Sequence, residues 1–204
     1  MVVALTRLAD RPCVLVGQDR SRQTPGHELG PGALREARRG MRLAEELGLP
    51  LVTVIDTPGA ELSARAEEGA IAPEIARCIA TLASLRVPTV SVLLGQGCGG
   101  GALALFPART VIAAEQAWLA PLPPEGASLI VFGDLEHAAE LADRQRIRAV
   151  DLLADGFVQR LVPERADDTA AELAAAVVAE IGAALGEQSV GRAPETLSRQ
   201  EIAG

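Results

Sequence analysis

Two short segments carry the residue types that chemistry at a carbonyl oxygen needs. Ile55-Asp56-Thr57-Pro58-Gly59-Ala60 follows one apolar run, and Gly95-Gln96-Gly97-Cys98-Gly99-Gly100-Gly101-Ala102 follows another. A glycine cluster between a buried strand and a helix lets a ligand come close to the backbone. The free N–H groups at the helix start then point outward as donors. With the Gly59–Ala60 loop beside them, such donors form an oxyanion hole, which stabilises negative charge on a carbonyl oxygen without an ionisable side chain. Glycines at a strand–helix turn also serve close packing alone, so spacing leaves both roles open. Gly95, Gly97 and Gly100 also fit the dinucleotide pattern G-x-G-x-x-G, but that run belongs after the first strand, and Glu115 is the only acid near the required offset.

The other candidates for chemistry are few. The cysteines are Cys13, Cys78 and Cys98, odd in number, widely spaced and without a C-x-x-C, so neither a disulfide framework nor a zinc site is expected. Cys98 at a helix start is a nucleophile candidate if its thiol is acidified there, and otherwise a small buried thiol. His27 falls in a polar loop and His137 on a solvated helix, neither beside an evident acid, so both read as structural. Arg35, Arg38, Arg39 and Arg42 form a basic strip that suits a phosphate or an acidic partner. A solvated face shared with Glu36, Glu45 and Glu46 accounts for it better.

Composition narrows the classes. The 204 residues fit one domain, and 49 % apolar content supplies a sizeable core. The net charge of −8 argues against nucleic acid, which requires a basic surface. Lysine is absent, which excludes a Schiff-base lysine and a P-loop lysine within this sequence. The N-terminal apolar run is too short for a secretory signal, and no apolar run approaches the ~18 residues of a membrane span. A soluble, cytoplasmic domain is expected.

The elements that position the two segments can be read from periodicity. Residues 2–6 and 12–17 read as strands around a turn at Asp10–Arg11, and 18–30 as a polar loop. Leu34, Ala37, Met41, Ala44 and Leu47 recur at helical spacing up to Gly48. Leu51–Ile55 suits a strand covered on both faces, and a loop follows from Asp56. Ile75 to Leu85 marks a helix and Pro88–Leu94 a buried strand. Gly95–Gly101 reads as a turn into a small-residue helix at Ala102–Phe106. Arg109–Ala113 is a strand, with short helices near 125–132, 134–143 and 147–154. Phe157–Val162 is a last strand. Leu173, Val177, Ile181 and Leu185 define a C-terminal helix. The alternation predicts an α/β domain over 1–188 with a largely parallel sheet, and a polar, mobile tail over 189–204.

The stretch PLVTVIDTPGAELSARAEEGAIAPEIARCIATLASLRVPTVSVLLGQGCGGGALAL (50–105) resembles the carboxyltransferase α subunit of bacterial acetyl-CoA carboxylase, with its IDTPGA, AEE, L-x-VP and GGALA segments. GPGALREARRGMRLAEELGLP (30–50), LPPEGAS (122–128) and DLLADGFVQRLVPE (151–164) extend the match in order. The sequence is also similar to the carboxyltransferase β chains of actinobacterial acyl-CoA carboxylases, in which both halves are fused.

The resemblance implies a crotonase-like ββα spiral with a C-terminal helix. It also implies carboxyl transfer from carboxybiotin to an acyl-CoA, most simply acetyl-CoA to malonyl-CoA in fatty acid biosynthesis. In that family carboxybiotin gives up CO2, the biotin enolate removes the α-proton of the acyl-CoA, and the acyl enolate captures CO2. One oxyanion hole holds the thioester oxygen and another the biotin urea oxygen; the α-like half supplies the second. Carried onto this sequence, the N–H groups of Gly101 and Ala102 hold the biotin oxygen, with Gly100 allowing the approach and a slip of one position open. Gly59, Ala60, Gly97 and Gly99 line the same pocket, and no metal is required. A biotin carboxyl carrier protein, a β-type (N-terminal) half and an oligomer are the implied partners.

The departures are local. Glu61-Leu62-Ser63 replaces the family's residues after IDTPGA, Gly99 stands where serine is frequent, and the zinc-binding cysteines of a β subunit are missing. In ClpP-type proteases of the same superfamily the nucleophile position falls on Gly99. In enoyl-CoA hydratases one catalytic acid falls near Glu125, but the other falls on Leu103, so hydration, which needs both, is disfavoured. Glu125 otherwise reads as a helix N-terminal acid. Two alternatives remain: a biotin-independent malonyl-thioester decarboxylase subunit, and a catalytically silent assembly subunit of the same fold.

Overall fold

A computed structural model describes residues 1–24 and 28–190. Fifteen named strands and helices follow one another among them, with a 3-10 turn at Arg20–Arg22. β1 (Val2–Leu8) and β2 (Arg11–Gly17) form an antiparallel hairpin. Its turn is Ala9–Asp10, one residue earlier than expected. Both residues have positive φ, 47° and 59°, the backbone of a two-residue turn whose twist matches its strands.

α1 (Pro31–Leu47) starts with proline, whose missing N–H costs nothing there, and ends where Gly48 turns left-handed at φ 64°. β3 (Leu51–Thr57) follows, then α2 (Ala64–Glu68), α3 (Ile71–Ser84) and β4 (Thr89–Cys98). α4 (Gly99–Leu103) continues directly from β4. The rest is β5 (Thr110–Ala114), β6 (Trp118–Ala120), α5 (Pro124–Val131), α6 (Ala138–Gln145), α7 (Ala149–Ala154), β7 (Arg160–Val162) and α8 (Ala170–Val190).

The sheet runs β1-β2-β3-β4-β5-β7, with every pairing after the hairpin parallel, and β6 added to the far end of β4. Side chains alternate across it. Leu51, Ile55 and Leu93 pack against Leu34, Met41, Cys78 and Leu82 of α1 and α3. Val52, Val90, Val92 and Ile112 face Val177, Ile181 and Leu185 of α8. Both faces are covered, as a parallel sheet requires. The buried hydroxyls of Thr53 and Ser91 lie 2.8 and 2.6 Å from the Leu105 carbonyl, tying the segment after α4 to the sheet.

Four expectations are revised. The loop after Asp56 contains α2, started by Ser63, whose hydroxyl accepts the Ala66 N–H at 3.1 Å. β4 runs on through Gly95–Cys98, where a turn was expected, because β6 pairs with Gln96, Gly97 and Cys98. α4 therefore starts at Gly99 rather than Ala102. The last strand is only Arg160–Val162, since Gly156 at φ 80° turns the chain just before it and Phe157 is exposed. His27 and residues 191–204 lie outside the described residues.

Candidate active site

The two glycine-bearing segments come together at the C-terminal edge of the sheet. β4 carries an irregularity there: Ile55 pairs with Leu93, but Thr57 pairs with Gly97, so β4 inserts extra residues opposite Asp56. The Asp56 carboxylate fills the bulge and accepts the Gln96 N–H at 3.1 Å. A Cβ on Gly95 would stand 2.9 Å from that carboxylate oxygen, which is the packing reason for glycine. The bend carries the end of β4 past β3 and into α4.

Gly101 is the contact between the segments. A Cβ there would lie 3.1 Å from both the Ala60 nitrogen and the Gly59 carbonyl carbon, so the backbones approach as only glycine permits. Gly59 has φ 133°, a conformation that L side chains rarely adopt, and its Cα faces the Cys98 sulfur. A cavity of about 240 Å³ opens over this junction. Gly59, Ala60, Gly99 and Gly100 form its polar floor, and Ile71, Ile75, Pro121 and Leu122 are among its apolar walls. Gly97 lies outside the cavity, wedged against the Trp118 carbonyl oxygen, 2.8 Å from its notional Cβ. Gly101 and Ala102 are buried behind the floor.

Cys98 is the N-cap of α4. The N–H groups of Gly99, Gly100 and Gly101 have no carbonyl one turn back within the helix. Burial pushes the Cys98 thiol above its ordinary pKa, and the Glu125 carboxylate adds to the shift. The thiol is therefore protonated near neutrality and a poor nucleophile.

Three polar residues that sequence reading passed over hold this junction. Gln18 and Gln23 fall in a stretch with no periodicity, and Thr57 falls in the expected loop from Asp56, named in the first segment but given no role. The Gln18 amide donates to the Gly101 carbonyl at 2.7 Å and accepts the Asp56 N–H at 3.1 Å. Gln23 donates to the Asp56 carbonyl at 3.0 Å and accepts the Thr57 hydroxyl at 2.5 Å. That hydroxyl accepts the Gly59 N–H at 3.2 Å. The only sequence signal is polarity next to a strand end, shared by many surface residues.

The rim is less restrained. The Glu61 carboxylate accepts from Ser63 at 2.6 Å and from Arg65 at 3.2 Å, and the Ser63 hydroxyl foremost holds its pKa below the ordinary value. Between them Leu62 is 95 % exposed. Glu125 lies in the first turn of α5, and Leu103 is half-buried in α4. On α5 and just beyond it, Leu129, Ile130, Val131, Phe132 and Leu135 are exposed.

Two further expectations change. His137 does have an acidic neighbour: its Nδ1 is 2.9 Å from Asp134 Oδ1, and its ring stacks on Phe132 at 4.1 Å between centroids. The arginine strip is split. Arg38 and Arg35 reach Glu74 of α3 at 2.9 and 3.7 Å, and Arg77 reaches it at 2.9 Å. Glu74, 3 % exposed, is thus the hub of an ion cluster joining α1 to α3.

The family model for acetyl co-enzyme A carboxylase carboxyltransferase-like proteins matches residues 1–201. A Mycobacterium tuberculosis protein described as a probable biotin-dependent acyl-coenzyme A carboxylase beta3 subunit is 55 % identical over 188 residues, covering 89 % of this chain and 38 % of that protein. The acetyl-coenzyme A carboxylase carboxyl transferase subunit alpha of Rhizorhabdus wittichii is 36 % identical over 194 residues, covering 92 % of this chain and 62 % of that one. The chain therefore spans less than two thirds of the length of either relative. In fold it is similar to transcarboxylase 12S, with a TM-score of 0.78 at 21 % identity over 99 % of this chain and 39 % of that one. The fold is that of the crotonase-like carboxyltransferases.

Proposed function

The chain belongs to the acetyl co-enzyme A carboxylase carboxyltransferase-like family, and on that premise we propose that it is the biotin-side component of a carboxyltransferase that moves a carboxyl group from carboxybiotin to acetyl-CoA. The observation that carries this is the cavity floor, where two backbone segments meet at Gly101 and helix-start N–H groups lie beneath apolar walls. Such a floor suits a flat, largely apolar ring bearing one strongly accepting urea oxygen. Carboxybiotin, brought on its carrier protein, supplies the CO2 and the base. The chain's own part is to bind and orient that ring, exclude water with Ile71, Ile75 and Leu122, and donate backbone hydrogen bonds to the oxygen that gains negative charge.

Within the set Gly100, Gly101 and Ala102, the proposed donors are the N–H groups of Gly101 and Ala102, with Gly100 allowing the approach. Gly59, Ala60 and Gly99 line the ring pocket, and Gly97 sets the strand spacing beneath it. Residues 1–188 act as one carboxyltransferase unit, with malonyl-CoA as product. The thioester side comes from a β-type half, which the exposed leucines at the rim and on α5 favour as a covering surface.

The reverse reaction tests this. Conversion of malonyl-CoA to acetyl-CoA is followed with the purified chain, with and without free biotin and a β-type half. Turnover that needs both supports the assignment. Turnover without biotin identifies a decarboxylase subunit, and silence in every combination identifies an assembly subunit.

A further inference from the structure

We propose that Gln18 is a positioning residue for the backbone donors at the start of α4, an inference that rests on the function proposed above. Gln18 is 6 % exposed and directly follows β2. Its own N–H donates to the Val54 carbonyl at 3.0 Å, so its backbone is held as a continuation of the sheet. Its side-chain amide then spans the junction. Oxygen Oε1 accepts the Asp56 N–H at the tip of β3, and Nε2 donates to the Gly101 carbonyl in α4. The orientation of the amide is forced, because a backbone N–H can only donate and a carbonyl can only accept.

The consequence is geometric and electronic. The Asp56 end of the clamp leads to Gly59 and Ala60 three and four residues on, and the Gly101 end belongs to the helix start. One rigid amide therefore sets the distance between the two segments that form the cavity floor. The Gly101 carbonyl shares a rigid plane with the Ala102 N–H and is one peptide from the Gly101 N–H. A hydrogen bond to that carbonyl fixes the plane and polarises the peptide. No other side-chain donor to Gly101 is present among the described residues, and Gln18 itself does not line the cavity.

Gln18→Glu tests this, because it keeps the shape and removes the donor. Ionised, its carboxylate opposes the Gly101 carbonyl; protonated, its O–H restores the bond. Burial against a carbonyl raises the carboxyl pKa towards neutrality. In the assembly with the β-type half and free biotin, kcat for malonyl-CoA decarboxylation is expected to fall about 30-fold at pH 8, less than the roughly 100- to 1000-fold cost of losing an oxyanion-hole donor outright. It should return to within about threefold of the parent at pH 6, with KM for malonyl-CoA unchanged throughout, because the thioester site is elsewhere.

On the ¹⁵N-labelled chain alone, the amide resonances of Gly100, Gly101 and Ala102 should follow the same titration. Gln18→Met, which carries no charge, covers the case in which Gln18→Glu does not fold at pH 8; it should lose about tenfold in kcat at every pH, without a titration. A stability role alone gives no kcat change in folded protein and no pH-linked rescue. The proposal is overturned if folded Gln18→Glu or Gln18→Met keeps kcat within about twofold of the parent at pH 8, or if the amides do not move. A parent assembly that is silent with biotin overturns the carboxyl-transfer function itself, and the positioning role with it.

Discussion

The floor and the rim of the cavity are built by opposite means. At the floor, glycines that bring backbones into contact are tied by two side-chain amides and a hydroxyl, with Gln18, Gln23 and Thr57 each joining segments distant in sequence. At the rim, Leu62 stands 95 % exposed between a capping serine and its glutamate, and on α5 Ile130 is 75 % exposed. Hydrogen bonds specify position, whereas an exposed apolar surface specifies only that something must cover it. The floor is thus fixed by polar contacts, and the rim is left as exposed apolar surface.

This contrast can be broken at several points. The largest effect is expected from Gly101→Val, which drives a branched side chain into the Ala60 nitrogen. Biotin-dependent turnover should fall about 1000-fold or more, while circular dichroism still reports a folded sheet. Next is Glu74→Ala, which leaves Arg38 without its partner. Unfolding in urea should show a loss of about 3 kcal/mol, the low end for breaking a buried pair because Arg35 and Arg77 reach solvent. Ile130→Ser on α5 should change stability by less than about 0.5 kcal/mol, yet weaken binding of the β-type half about tenfold by calorimetry. If it instead destabilises the isolated chain, α5 is packed as core and the contrast fails.

The smallest effect concerns Cys78 beneath α1, whose thiol burial pushes up to about 11 from 9.0. The folded state holds this proton more tightly than the unfolded one, so the contribution is complete below pH 9 and is lost as pH rises towards 11. Cys78→Ala should flatten that part of the alkaline stability profile.

What could be read from the sequence follows from what periodicity encodes. α1 and the buried strand at Leu51–Ile55 announce themselves because packing repeats at 3.6 or 2 residues. The two glycine segments are visible because glycine has few other uses after a strand. β6, three residues long, has no room for a period, and its pairing with Gln96–Cys98 is what turns an expected loop into strand. Gly101 and Ala102 are buried behind the floor that Gly99 and Gly100 line, a depth that composition cannot express. Gln18 and Gln23 are unreadable for a different reason. Their role depends on carbonyls 83 and 33 residues away, brought near only by the fold.

The path of β4 has a mechanical consequence. One strand pairs with β3, β5 and β6 and then becomes α4 without an intervening loop. Most ligand-gripping segments are loops that flicker open at little free energy, whereas this one is welded to the centre of the sheet. The strand end that leads into α4 is held by β6 at Gln96–Cys98 and by β3 at Gly97, so α4 amides should exchange more slowly than those of the exposed loops. The backbone beneath the cavity is therefore anchored in the sheet, and a change in access to the cavity is left to motion of its walls.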